Sequence, residues 1–397
     1  MPNSHVRMGC QHGLAGAASP VQLCHAGRVL AVNLIRRDLL RAGLAAAIVP
    51  AGSDLLARPL ATRVALLGQA LITRDLDEQA WPGRAPLLRQ LARSHVRFTD
   101  LEVVIRGPRA GAPTRSDPLT VHDANPDVID ALARLGVNLA ATSNNHAFDL
   151  GTGGILDTMT ALRARGIAFA GTGETLAAAS APTFVTTHGG TVALVACATG
   201  MVRPGGAATD SRPGVHEIRL GADGLFDPGD VARMHASIAL ARQRADAVIA
   251  YQHNHYWEGQ NWRTSERQRV FARSCIDAGA SVFAAHGAPL LHGIEVYKGA
   301  PLFHCLGNFI FHTRKAEEAY GAEAWQGVIA ECRFEAGRFA GARLVPVQLE
   351  PAGANRGRPS LATQAEAKVI LKRLVALSSG LGYRLSADGE TAVIPPA

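Results

Sequence analysis

Residues 137–158 read VNLAATSNNHAFDLGTGGILDT, and their order decides how the rest of the chain is read. The apolar run Val137–Thr142 predicts a buried strand. It ends in four polar residues, Ser143-Asn144-Asn145-His146, with Asp149 close behind. Gly154–Arg165 has helical spacing and is closed by Gly166, a residue suited to the left-handed turn that ends many helices. Strand, polar turn and helix in succession form the unit of an α/β fold. In open α/β sheets, sites form beyond the carboxyl ends of the strands.

The same alternation extends in both directions. Arg63–Leu67 predicts a first strand ending at Gly68, and Phe98–Ile105 a second. Ala85–Ser94 and Pro126–Leu135 predict the helices around them. Downstream, helices over Asp230–Arg244 and Ser265–Ala278 alternate with strands over Ala247–Tyr251 and Ser281–Ala285. His188-Gly189-Gly190 marks a hairpin between Phe184–Thr187 and Thr191–Ala198. From Gly293 onward the pattern turns to paired strands (Gly293–Tyr297, Pro301–Cys305, Gly327–Phe334, Arg343–Leu349), before a last helix over Gln364–Ser378. The mixture predicts a layered α/β sandwich rather than a strictly parallel sheet.

Polar clusters follow several of these strands. Gly68-Gln69 follows the first, Asp100-Leu101-Glu102 lies within the second, and the Asn145-His146 turn follows the next. His253-Asn254-His255 and His286, with His292 and Glu295 soon after, continue the series. Imidazole nitrogen, carboxylate and amide oxygen gathered from separate strands suit a divalent transition ion such as Mn, Zn or Fe, not a thiolate site. Any one of these histidines alone is accounted for by a structural hydrogen bond. It is their repetition at strand ends that points to a metal.

SNNHAFDLGTGGILDT (143–158) and GIEVYKGAPLFHCLGNFIF (293–311) resemble the two most specific motifs of the CapA family of capsule and poly-γ-glutamate proteins. Asp100-Leu101-Glu102, Gly171-Thr172-Gly173 and Tyr251–His255 resemble its shorter motifs in the same order, so the likeness spans residues 62–312. It implies a four-layer, calcineurin-like metallophosphoesterase fold, a β-sandwich flanked by helices. It also implies His146 as an acid/base group beside the metal, with Asp149 as its orienter. The chain departs from the family at Gln69, where an Asp ligand is usual, and again at His253-Asn254-His255 and His286-Gly287-Ala288-Pro289. A neutral amide at Gln69 favours one ion per chain over two. The ligand set then implied is Glu102, Asn145, His253 and His286, with His255 or His292 as an extra ligand.

The chain has 397 residues, 47% of them hydrophobic, with mean hydropathy +0.07, which excludes intrinsic disorder. Its net charge of +7 comes from dispersed arginines, so no basic patch points to nucleic acid. Cys197, Cys275, Cys305 and Cys332 lie in apolar runs and read as buried thiols, not a disulfide framework. No apolar run is long enough to anchor the chain across a bilayer. Arg36-Arg37-Asp38-Leu39-Leu40-Arg41 resembles a twin-arginine export signal, predicting a leader over 1–61 with cleavage between Gly52 and Ala61 and a periplasmic destination; an amphipathic helix in a cytoplasmic protein is the alternative. The body is expected over 62–350, with a C-terminal helix and tail over 351–397.

The expected chemistry is metal-assisted hydrolysis or transfer at an amide bond, with His146 or His255 handling the proton and an anionic polyamide or peptide as substrate. Peptide epimerisation, phosphoester hydrolysis and a non-catalytic, polymer-binding role beside capsule-synthesis proteins use the same parts and stay open.

Overall fold

The strand Thr62–Leu66 turns Val64 and Leu66 to one side and Ala65 to the other, and that parity runs through the whole molecule. The computed structural model describes residues 61–76 and 81–396. The leader reading of 1–61, with its twin-arginine pattern, lies almost wholly outside the described residues.

Two sheets dominate a mixed α/β architecture. The larger has nine strands, and its parallel part runs Thr62–Leu66, Val96–Asp100, Leu139–Ala141, Ala168–Ala170. The long antiparallel pair Gln326–Glu335 and Arg338–Leu349 extends it on the other side. The C-terminal stretch belongs to this same sheet, because Ala392–Ile394 pairs with Arg338–Leu349. The second sheet has six strands and a parallel centre of Gly190–Thr199, Ala247–Asn254 and Val282–His286. The hairpin expected at His188-Gly189-Gly190 forms at its edge.

One apolar cluster joins the two sheets: Val64, Leu66, Val96 and Phe98 share it with Leu194, Ile249, Tyr251 and Val282. A second packs the larger sheet against helices Arg84–Leu91, Asp127–Arg134 and Gly151–Ala164 through Leu87, Ile129 and Leu162. A third packs the six-stranded sheet against helices Pro228–Arg242 and Glu266–Asp277 through Met234, Ile238 and Phe271. The four cysteines are free and buried, as expected, and no helix among the described residues is long and apolar enough to cross a membrane.

The boundaries differ from the sequence expectation where they matter for function. The strand expected over Phe98–Ile105 stops at Asp100, because the Glu102 amide donates to the Ala70 carbonyl (3.1 Å) and the chain leaves the sheet. The strand expected to end at Tyr251 continues to Asn254, paired on both sides by Gly190–Thr199 and Val282–His286. His253 therefore lies in a strand, not after one.

Candidate metal centre

Strand parity brings the first two groups of the site together. Side chains alternate across a strand, so Asp100 shares the inter-sheet face of Val96 and Phe98, and His253 shares that of Ile249 and Tyr251. They meet at the carboxyl ends of their strands, with Asp100 Oδ2 3.0 Å from His253 Nδ1. This bond fixes His253 as the Nδ1–H tautomer and leaves Nε2 with its lone pair outward, the carboxylate–histidine arrangement common behind metal ligands. Asn144 holds Asp100 in turn, its Nδ2 donating to Oδ1 at 3.2 Å and to the Leu101 carbonyl at 2.7 Å.

Three further donors converge on His253 Nε2. Asn145 Oδ1 lies 2.8 Å away, His255 Nε2 3.1 Å, and Glu102 Oε1 3.9 Å. Glu102 is buried, and its other oxygen, Oε2, has no hydrogen-bond partner among the described residues. A buried carboxylate oxygen without a partner costs about 1–3 kcal/mol or more, a cost that a cation offsets. Burial, with Asp100 beside it, pushes the Glu102 carboxyl well above its usual range, although Arg115 opposes this. Burial also holds the His255 imidazole well below its usual value, so it is neutral, as a ligand must be. Two imidazoles, an amide oxygen and a carboxylate fit a divalent transition ion.

His146 and Asp149 stand beside this set. His146 Nδ1 is 2.7 Å from Asp149 Oδ2, and its Nε2 is 4.0 Å from Glu102 Oε1. Asp149 is held from two directions that the sequence did not disclose. Arg115 Nε donates to Oδ1 (2.5 Å), and the His122 backbone amide donates to Oδ2 (2.9 Å). Arg115 also donates from Nη2 to the Asn145 carbonyl (2.7 Å), which ties the dyad to a metal-ligand candidate. The His122 ring stacks on His146 with centroids 3.5 Å apart and 15° between planes. Burial lowers the pKa of His146 well below the usual histidine value, and the Arg115 charge adds to this.

Gln69, the departure noted above, and two of the expected ligands, His286 and His292, stand apart from this set. Gln69 directs Oε1 to the Gly287 amide (3.2 Å), so its one carboxamide oxygen already has a donor. His286 pairs in register with His253 on the next strand, yet its Nδ1 faces the Tyr251 hydroxyl at 3.2 Å and it does not converge with Glu102. His292 lies under the loop that follows His255, with Nε2 2.8 Å from the Asn261 carbonyl and its ring edge-on to Trp257. Among the described residues, the sets within ligand reach are Glu102, His253, His255 and Glu102, His122, His146. Of the two extra ligands the sequence left open, the geometry favours His255.

The donors open onto a cleft of about 270 Å³. Leu71, Leu119, Met201, Phe311 and Tyr320 form apolar walls, and Arg115 and Lys315 contribute cations. Lys315 Nζ sits 5.7 Å from the centre of the Tyr320 ring.

Comparison with known proteins identifies the family. Residues 63–313 match the model of the family described as bacterial capsule synthesis protein PGA_cap. An uncharacterised protein of Sinorhizobium fredii is 29% identical over 83% of this chain and 92% of its own length. A probable polyglutamine synthesis accessory protein of Mycobacterium tuberculosis is 29% identical over 80% and 82%. The PGA biosynthesis protein CapA of Bacillus subtilis is 30% identical over 47% and 46%. The chain belongs to the CapA family of bacterial capsule synthesis proteins.

Proposed function

We propose that this protein is a metal-dependent enzyme that hydrolyses or transfers an amide bond in an anionic polyamide, acting in capsule or poly-γ-glutamate metabolism. The observation that carries the reading is that Asn145 Oδ1 and His255 Nε2 both lie within 3.1 Å of His253 Nε2, beside a buried His–Asp pair. When bound, one divalent ion at Glu102, Asn145, His253 and His255 supplies a polarised carbonyl or an activated water. The rest is done by the chain. His146, oriented through Nδ1 by Asp149, is neutral and keeps the Nε2 lone pair towards Glu102 and the cleft; there it takes a proton from the attacking water or amine and passes it to the leaving amine. Arg115 holds Asp149 and Asn145 in mutual register. Arg115 and Lys315 attract the carboxylates of a polyanion, and the apolar walls keep water from the reacting bond.

The capsule and polyglutamine roles printed for the relatives support a polymer substrate. The packing of helices, two facing sheets and helices supports the four-layer metallophosphoesterase sandwich. The Arg36-Arg37 pattern supports export to the periplasm. The test is to incubate the purified, manganese- or zinc-loaded chain with γ-glutamyl oligomers, α-peptides and a generic phosphodiester. Cleavage of the γ-glutamyl oligomer, lost on chelation and in His146→Ala, is the expected result. Phosphodiester cleavage without amide cleavage contradicts the reading. So does tight oligomer binding with no turnover, which marks a polymer-binding scaffold.

A further inference from the structure

Glu102 belongs to two ligand groups at once. One ligand atom each from Glu102, His122 and His146 lies within 4.8 Å of the other two, as in the group with His253 and His255. Glu102 is 4% exposed, and its Oε2 has no partner among the described residues. His122 Nδ1 is likewise shielded from solvent without a hydrogen-bond partner. His146 has committed Nδ1 to Asp149, which leaves Nε2 for another use. The two rings are nearly parallel at 3.5 Å. Adjacent ligands of a zinc ion, with bonds of about 2.0–2.1 Å, need a spacing of roughly 3 Å and lone pairs that converge, so one ring must tilt out of the stack to complete the site.

We propose that Glu102, His122 and His146 form a second, weaker divalent-cation site whose occupancy silences the protein. An ion there takes the Nε2 lone pair of His146, the nitrogen that the proposed reaction uses for its proton. The site differs from a two-metal centre built on the first strand, because Gln69 is neutral and its oxygen accepts from Gly287. It binds more weakly than the set around His253, since the Arg115 guanidinium stands next to it and a first dication lies across Glu102. Borderline ions that favour imidazole, zinc above all, are the ligands this donor set selects. The binding claim stands on geometry alone, whereas the silencing claim rests on the role given to His146.

Zinc titration of the full chain, followed by calorimetry and by ions per chain after dialysis, tests this. Two events are expected, the second about tenfold or more weaker than the first, with activity rising to one equivalent and falling beyond it. His122→Phe keeps a stacked ring but removes the nitrogens, so it should retain one event and lose the inhibition by excess zinc. Its melting curve checks that it folds, and a cobalt titration of the unaltered chain gives an independent reading through two distinct absorption spectra. A single event in the unaltered chain overturns this site and leaves the proposed function standing. Two events retained in folded His122→Phe also overturn it. No binding at all overturns both.

Discussion

Glu102 and Glu295 are both buried glutamates beside histidines, yet their surroundings are opposite. Burial pushes the Glu295 carboxyl up, but the Arg269 and Arg273 guanidiniums bonded to it, with His304 3.7 Å away, win and bring it down to about 2. Arg269 Nε lies 2.9 Å from one oxygen, and Arg273 meets the other. Glu102 has no such clamp, one oxygen lacks a partner, and its carboxyl is pushed up. A saturated buried carboxylate is structural, and an unsatisfied one marks a place for a cation. The histidines divide in the same way. His253 has a carboxylate behind it and faces open donors, while His292 ends on a backbone carbonyl.

The largest effect that sharpens this contrast is expected from His253→Ala or Glu102→Gln, each of which should purify without its first ion, as read by elemental analysis. Unchanged metal content in either variant breaks the contrast. Next comes Asp100→Asn, which disturbs the tautomer of His253 without touching the ion and should weaken metal binding about 10–100-fold. Competition with a chromogenic chelator measures it.

His286→Gln and His292→Gln should leave the ion count unchanged while lowering stability by about 1–3 kcal/mol, the cost of disturbing buried hydrogen-bonding groups. Loss of the ion in either variant would return these residues to the ligand set. Burial holds His292 at about 4, and likewise His216, a buried histidine whose Nδ1 lies 2.9 Å from the Ala196 carbonyl. Both are depressed below the unfolded value, so at low pH the unfolded chain binds more protons. Their contribution is full above about pH 6.5 and is lost progressively as pH falls to about 4, by up to roughly 3 kcal/mol each. Denaturant midpoints across that window should fall, and His216→Gln should flatten part of the slope; a midpoint independent of pH contradicts the burial of neutral imidazoles. The smallest effect is expected from a chain beginning at Thr62, which should melt close to the full-length midpoint. A large drop would make the leader structural.

Glu102, Asn145, His253 and His255 were legible as candidates because they lie at or near strand ends. The Asn145-His146 turn follows a strand that the sequence marks clearly, whereas the strand bearing His253 reads from sequence as ending at Tyr251, and only its observed course to Asn254 places His253 on the face of Tyr251. The observed strand Val282–His286 puts His286 on the inter-sheet face, with the Tyr251 hydroxyl 3.2 Å from Nδ1, a contact no residue pattern discloses. Arg115 and His122 were not legible. They come from the irregular stretch 106–122, where neither periodicity nor a turn signal says which side chain returns to the site. His122 arrives through a backbone amide and a stacked ring, contacts that leave no residue pattern. Glycines were informative only where space is short. At Gly287, with φ +125°, an added Cβ would sit 2.0 Å from the Asn254 carbonyl oxygen, so the departure at His286-Gly287 is built into the packing beside His253.

The most direct test of the metal centre is a crystal structure of the full chain grown with one equivalent of manganese or zinc, using anomalous scattering to locate the ion. The account predicts one peak about 2.0–2.2 Å from His253 Nε2, His255 Nε2, Asn145 Oδ1 and a Glu102 oxygen, with Asp100 still on His253 Nδ1. A peak held by His286 or His292, or an ordered site with no peak, would contradict it.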